Sequence, residues 1–442
     1  MVTNRQIKEL CGPIFVEQFV AVLITMLSTM MMLYVSEAAT SGVGLVNTIN
    51  LLVMSVFSAL STGVTVAVAH YIGSGHRIEA GHTASHALTL IIYTSTLLGV
   101  LLALFCRPLL RALFPGSELA VMDAAAPYLI YSALSLPLLA VHTAFAGIMR
   151  AAGNSRTPMT ASIFSNIGYA AVSLPCVYLL HMGVQGASLG LLASRLIPAA
   201  YLTVKAQRGW GLYIPKPPLL PNIKCLRPAL SVALPAGLDS LIFQGGKLVV
   251  QIFISGMGTA VLAANQLGNA LATLLNLPGM TLQLVTVTAA GWAYGAGHFA
   301  EARRHTLRLT WLCCLAEAAL ALPMLIFLDP IIGLYNASAE AARITRQIML
   351  LVLITTPVLW GPAFVTPYGM RAMGDARFAM MVSIASMIAL RILAAWLLGV
   401  QLQMGLFGVW LAMCLDWVGR AACFLFRMRT LKQKDLTQII SS

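Results

Sequence analysis

Apolar runs long enough to cross a bilayer follow one another from about residue 10 to about residue 426, separated only by short polar connections. About 20 helical residues at 1.5 Å each cover the roughly 30 Å hydrocarbon layer, so a chain built this way folds as a bundle of transmembrane helices. Twelve runs are distinguishable. Six lie at roughly 10–36, 43–72, 84–106, 120–149, 157–181 and 183–204, and six more at roughly 229–256, 260–294, 305–328, 342–370, 378–399 and 404–426. The composition agrees: 59% of residues are hydrophobic and 9% charged, where a soluble domain carries about 25% charged residues. Almost no chain is left for a soluble domain.

The net charge of +13 would suggest nucleic acid in a soluble protein. Here Arg and Lys fall in short connections, as on the cytoplasmic side of a membrane protein, and no nucleic-acid partner is expected. One alternate set of connections holds Arg5, Lys8, Arg77, Arg150, Arg156, the 205–227 stretch, Arg303, Arg304, Arg371, Arg377 and the tail from Arg427. The other holds little beyond Arg107, Arg111, Arg343 and Arg346, so both termini are expected in the cytoplasm. The eight cysteines form no C-x-x-C pair and mostly fall in apolar segments, which argues against a disulfide framework or a zinc site. MVTNRQIKEL leads into a run too long for a signal-peptide core, so no cleaved leader is expected.

The two sets of six are copies. GSGHRIEA (73–80) returns as GAGHFAEA (295–302), MRAAGNSRTPM (149–159) as MRAMGDARFAM (370–380), and GVQGASL (183–189) as GLFGVWL (405–411). Pro13 with Glu17 returns as Pro235 with Asp239, and Asn47 as Asn269, always 221 or 222 residues on. Six crossings is an even number, so the second copy enters the membrane in the same direction as the first. The fold expected is all-α: two parallel six-helix lobes related by a pseudo-twofold axis along the membrane normal, a transporter architecture. The lobes are expected at 1–204 and 229–442, the second ending in a basic cytoplasmic tail, with a Pro- and Lys/Arg-rich cytoplasmic linker at 205–228.

These residues resemble the multidrug and toxic compound extrusion (MATE) family, and within it the bacterial DNA-damage-inducible-protein-F-like branch. PIFVEQF, GSGHRIEA, MRAAGNSRTPM, GVQGASLGLLASRL, PAGLDSLIFQGGKLVVQ and GTAVLAANQ carry the resemblance by their order and spacing, over essentially the whole chain. It implies two six-helix lobes about a central cavity and extrusion of drug-like compounds in exchange for Na⁺ or H⁺. The family usually has an aspartate in the middle of the first helix, a prime candidate for ion coupling. Here MLSTMM puts Ser28 in that place, and a serine cannot take up and release a proton near neutral pH.

Ionisable groups inside a span cost about 2.5–3.5 kcal/mol at the bilayer centre, which makes each a functional candidate. They are Glu17, Arg195, Asp239, Lys247, Glu317, Arg391, Asp416 and Arg420. Glu17 and Asp239 stand one turn after Pro13 and Pro235; they either bind a cation or proton at the cavity mouth or favour a helix N-terminus electrostatically. Lys247, one turn after Gln244, is a candidate for proton exchange or for holding an acid partner. Asp416 and Arg420 have the i, i+4 spacing of a structural helix ion pair, and Arg391 is placed with them. Asn47, Asn166 and Asn269 are polar candidates for the substrate and ion pathway, although interhelical hydrogen bonds use such amides as readily. His82 and His86, at i, i+4, lack the third ligand and the H-E-x-x-H pattern of a metal site, and neither glycine loop carries a P-loop lysine. No metal, ATP or other cofactor is expected beyond a coupling H⁺ or Na⁺.

The reading is a bacterial inner-membrane secondary antiporter, a monomer rather than an enzyme, that exports amphiphilic small molecules by alternating access. H⁺ is preferred to Na⁺, and lipid is its surrounding partner. A flippase for a lipid-linked precursor is the nearest alternative, requiring several Arg or Lys around its cavity. A membrane-embedded transferase, which would need a His/acid or metal cluster, is more distant.

Overall fold

The structure, a computed structural model, describes residues 4–114, 119–207, 212–333, 335 and 338–431, and the statements below concern these residues. The basic tail beyond Leu431 lies outside them. The described chain is helical, with no strand. The N-terminal copy holds α1 (Asn4–Val35), α2 (Glu37–Gly73), α3 (Arg77–Leu104), α4 in two pieces (Leu119–Leu134 and Leu136–Ala151), α5 (Arg156–Leu174, continued by a π-turn at Pro175–Leu179) and α6 (Gly183–Gln207). The C-terminal copy holds α7 (Ile223–Ser255), α8 in two pieces (Thr259–Leu275 and Leu277–Gly295), α9 (Phe299–Ile326) and α10 (Ala339–Trp360, a π segment Gly361–Val365, then Thr366–Ala372). It closes with α11 (Ala376–Ser386, then π segments Met387–Leu393 and Trp396–Gln401) and α12 (Gly405–Thr430). Nine of these are long and apolar enough to cross a membrane, and the two bent pairs bring the number to eleven. With α1, 32 residues long, every expected run has its helix.

The repeated glycines close helices. Gly75 and Gly297 have φ of 83° and 79°, and Gly153 and Gly374 have 88° and 92°, a conformation only glycine adopts without strain. In each case the glycine N–H donates three residues back and the next N–H five residues back: Gly75 to Ile72 and His76 to Tyr71, Gly297 to Tyr294 and His298 to Ala293. This Schellman arrangement satisfies carbonyls that a helix end leaves unpaired. The sequence repeat is thus a repeat of turn chemistry.

Each copy has one helix bent at a break followed by a proline. α4 bends by 49° at Ser135, just before Pro137, and α8 bends by 49° at Asn276, just before Pro278. Val56 of α2 stands at the position of Pro278 and Val358 of α10 at that of Pro137; α10 has Pro357 one residue earlier, yet runs on to Trp360 without a break. A proline lacks the N–H that would continue the ladder and its ring crowds the preceding turn. Pro13 shows the repair: the Glu9 carbonyl it cannot bond accepts from the Ser155 hydroxyl at 3.1 Å.

The chain divides into two compact units, one of residues 4–233 and one from Leu234 onward, each holding six spans. The division falls within α7. In the first unit, the 212–222 part of the stretch read as a linker is laid along α3. Ser85 donates to the Lys216 carbonyl at 3.2 Å, Thr89 to Pro218 at 2.9 Å and Tyr93 to Leu219 at 2.7 Å, while His86 Nδ1 accepts from the Asn222 amide. The start of α7 packs on α2, where Gly63 leaves room for Ala229 and Ala233, a small-residue contact of the kind that joins membrane helices.

Candidate functional site

Glu17 and Asp239 do not sit in first turns. Glu17 follows the start of α1 by 13 residues and Asp239 the start of α7 by 16, beyond the reach of a helix terminus. Each is buried and meets an arginine from the repeated MRA motif. Arg150 Nη2 donates to Glu17 Oε1 at 3.4 Å, and Arg371 donates to Asp239. The two pairs are the same pair: 17 and 150 become 239 and 371 at the repeat offset. Arg150 and Arg371, counted in the sequence with the cytoplasmic connections, lie buried at the ends of α4 and α10. The signal that would have found them is their recurrence beside a recurring acid.

From Asp239, α7 presents a stripe at i, i+4 and i+8: Asp239, Phe243 and Lys247. No acid meets Lys247 among the described residues; its ammonium lies 5.9 Å from the centre of the Phe243 ring. Two arginines flank the same ring, Arg420 at 5.3 Å and Arg391 at 5.7 Å. Between them Asp416, wholly buried, accepts from Arg420 at 2.8 Å and from Ser386 at 2.5 Å and lies 3.6 Å from Arg391. The π segments of α10 and α11 carry Phe364 and Arg391 into this cluster. Phe364 packs edge-on against Phe243 and Trp417 and beside Trp360, with ring centres 6.1, 6.0 and 5.0 Å apart. Such irregular turns recur at functional positions in helices.

Trp360 also approaches Gly279 of α8, as does Glu317 of α9, which has 0% exposure. Neither carboxyl oxygen has a partner among the described residues other than the thiol of Cys313 one turn earlier, a weak donor. Glu317 Oε1 and the Trp360 ring share the space over Gly279, just after the α8 bend; a methyl group added there would lie 2.7 Å from Oε1. Three irregularities therefore meet at this carboxyl: the bend of α8, the π segment of α10 beginning at Gly361, and the gap left by Gly279. The sequence marked Glu317 as an acid in a span and gave no sign of its isolation.

The neutral candidates divide. Ser28 accepts from Tyr169 at 2.8 Å, tying α1 to α5. Asn166, on α5, has a buried Nδ2 without a partner. Asn47 is exposed on its unit, and Gln244 is half-buried beside the α7 stripe. Asn269 donates to its own helix, at the Asn265 carbonyl. Arg195, on α6, donates to the Ser132 carbonyl at 2.7 Å and to Ser135 at 2.8 Å, holding the α4 bend with hydroxyls rather than an acid.

Twelve helices in two six-span units, with charges kept inside the spans, define a polytopic membrane transporter. The MatE family profile matches residues 13–174 and again 235–397, so the same description fits each copy. The chain belongs to this family, the multidrug and toxic compound extrusion transporters, and is a multi-pass membrane protein. It is 24% identical over 429 residues to a probable multidrug resistance protein NorM of Thermotoga maritima, covering 95% of this chain and 90% of the other. It is 25% identical over 418 residues to the uncharacterized transporter YisQ of Bacillus subtilis, covering 92% and 90%. Among solved structures it matches an outward-facing multidrug resistance MATE transporter of the MOP superfamily with a TM-score of 0.90, 18% identity and 99% and 96% coverage. A MOP superfamily transporter from Pyrococcus furiosus, described as having a binding pocket of reverse polarity, matches with a TM-score of 0.88, 18% identity and 96% and 95% coverage.

Proposed function

We propose that this chain is a secondary antiporter of a bacterial inner membrane, with both termini cytoplasmic, that works as a monomer. It exports amphiphilic, drug-like small molecules by alternating access of two six-helix lobes, driven by an inward cation gradient. H⁺ is the preferred coupling ion and Na⁺ the alternative. The relatives' names support multidrug export.

The observation that carries the coupling is Glu317. A buried carboxylate loses its hydration, at a cost of several kcal/mol, and with no charged partner and only the weakly donating Cys313 thiol beside it, little offsets that loss. The site therefore suits a carboxyl neutralised by a cation that arrives with it, and a proton neutralises it without further ligands. Glu17 and Asp239 are poorer carriers, because Arg150 and Arg371 already neutralise them. Release of the proton requires Glu317 to meet water, so uptake and release are tied to a rearrangement of α8, α9 and α10. One monovalent cation crossing ~150 mV yields about 3.5 kcal/mol. That supports a several-hundred-fold gradient of a neutral substrate.

The experiment is transport in proteoliposomes with the two gradients imposed separately. A pH gradient at equal Na⁺ should drive efflux of a fluorescent amphiphile, and a Na⁺ gradient at constant pH should not. Transport on Na⁺ alone would overturn the proton assignment.

A further inference from the structure

The cluster around Phe243 is positively charged. Lys247, Arg371, Arg391 and Arg420 are set against two acids, Asp239 and Asp416, an excess of two positive charges in one aromatic-lined place. The excess is not a loop feature. Phe243, Arg391, Asp416 and Arg420 all lie within a few residues of the middle of their helices. Asp416 is shared by two arginines, so neither guanidinium is fully neutralised, and Lys247 has only a ring face. The N-terminal unit repeats the bias: Arg195, at the repeat position of Asp416, is buried among hydroxyls and a carbonyl.

Isolated cations at this depth are costly and are kept where a counter-charge or water meets them. Buried acids supply two counter-charges, and the remainder is unmet. Lys247, the exposed member of the set, cannot face hydrocarbon and so faces a polar path. The Phe243 ring under the ammonium and Phe364 packed edge-on against it offer apolar area to whatever the ammonium holds.

We infer that the C-terminal unit binds an organic anion, a carboxylate or phosphate on a flat apolar body, with Lys247 and Arg391 meeting the charge and Phe243 and Phe364 the body. This rests on the exporter reading and names its substrate class. An anion moving outward from a negative interior is also pushed by the membrane potential, so export of this class adds to the drive from proton entry.

The test is calorimetric binding to the full-length chain in detergent, with probes sharing one naphthyl body: 2-naphthoate, 2-naphthylmethylammonium and 2-naphthylmethanol. Naphthoate should bind about tenfold or more tightly than the ammonium probe, the size of effect a charge-assisted hydrogen bond gives. Lys247→Gln should remove most of that preference, Lys247→Arg should restore it, and the alcohol should respond to neither. Lys247 holds no acid, so its variants keep the fold where Arg391→Gln would expose Asp416. Competition by a short-chain phosphatidic acid with the same Lys247 dependence would support the site and assign its anion to a lipid. Preference for the ammonium probe, or anion affinities indifferent to Lys247, would overturn the inference. A chain that exports a cationic dye on a pH gradient yet shows no Lys247-dependent anion binding loses this inference and keeps the exporter reading. One that binds naphthoate but transports nothing does the reverse.

Discussion

Two arginines change the meaning of two acids. Glu17 and Asp239 stand out in the sequence because acids are rare in spans, and their partners do not, because Arg150 and Arg371 lie at chain positions that read as connections. A topology rule assigns charge by distance along the chain, while α4 and α10 extend past the apolar run and carry their last arginines inward. Truncating one partner leaves a buried charge alone, at a cost of about 3–5 kcal/mol. Arg371→Gln should therefore lower the thermal unfolding midpoint in detergent markedly. Arg371→Gln combined with Asp239→Asn should recover most of the loss, and single-variant midpoints equal to wild type would refute the structural role. The Asp416–Arg420 pair, by contrast, was legible from its spacing, since i, i+4 on a helix fixes the distance.

Helix positions were legible and helix irregularities were not. An apolar run shows where hydrocarbon is crossed, so the boundaries follow from composition. The bends before Pro137 and Pro278 carried a local signal that reading each run as one span passed over. The π segment of α10 carried one too, Pro362 at its second position, and Gly361 there sits against the Thr310 carbonyl and Cys314 of α9; the π segments of α11 hold no proline and carried none. Those segments place Phe364 and Arg391, so the candidate site was less visible than the fold. Two glycine substitutions separate the backbone from the packing argument. Gly297→Ala, in open space at positive φ, should cost about 1–2 kcal/mol and leave transport per folded molecule unchanged. Gly279→Ala drives a methyl group into Trp360 and Glu317; overpacking costs about 1–3 kcal/mol and should also impair transport at equal folded amount. Equal transport defects in both variants would contradict the distinction.

For the whole molecule, duplication gives two units with the same turns and the same acid–arginine pair, and divergence gives one of them a buried carboxyl, Glu317, without a charged partner. Glu317 corresponds to position 95 or 96 of the first copy, where Ser95 and Thr96 stand, so the N-terminal unit lacks the acid there just as it lacks one at Ser28. Cation coupling as proposed above would then rest in the C-terminal unit alone. Glu317→Gln keeps the shape and removes the charge, and the folded chain should tolerate it. The most direct measurement is proton counterflow during substrate efflux, read with a pH-sensitive dye in proteoliposomes, for wild type and Glu317→Gln. Wild type should carry protons inward with each export cycle, and the variant should move substrate only down its own gradient, with no proton signal. Undiminished proton counterflow in Glu317→Gln would contradict the account.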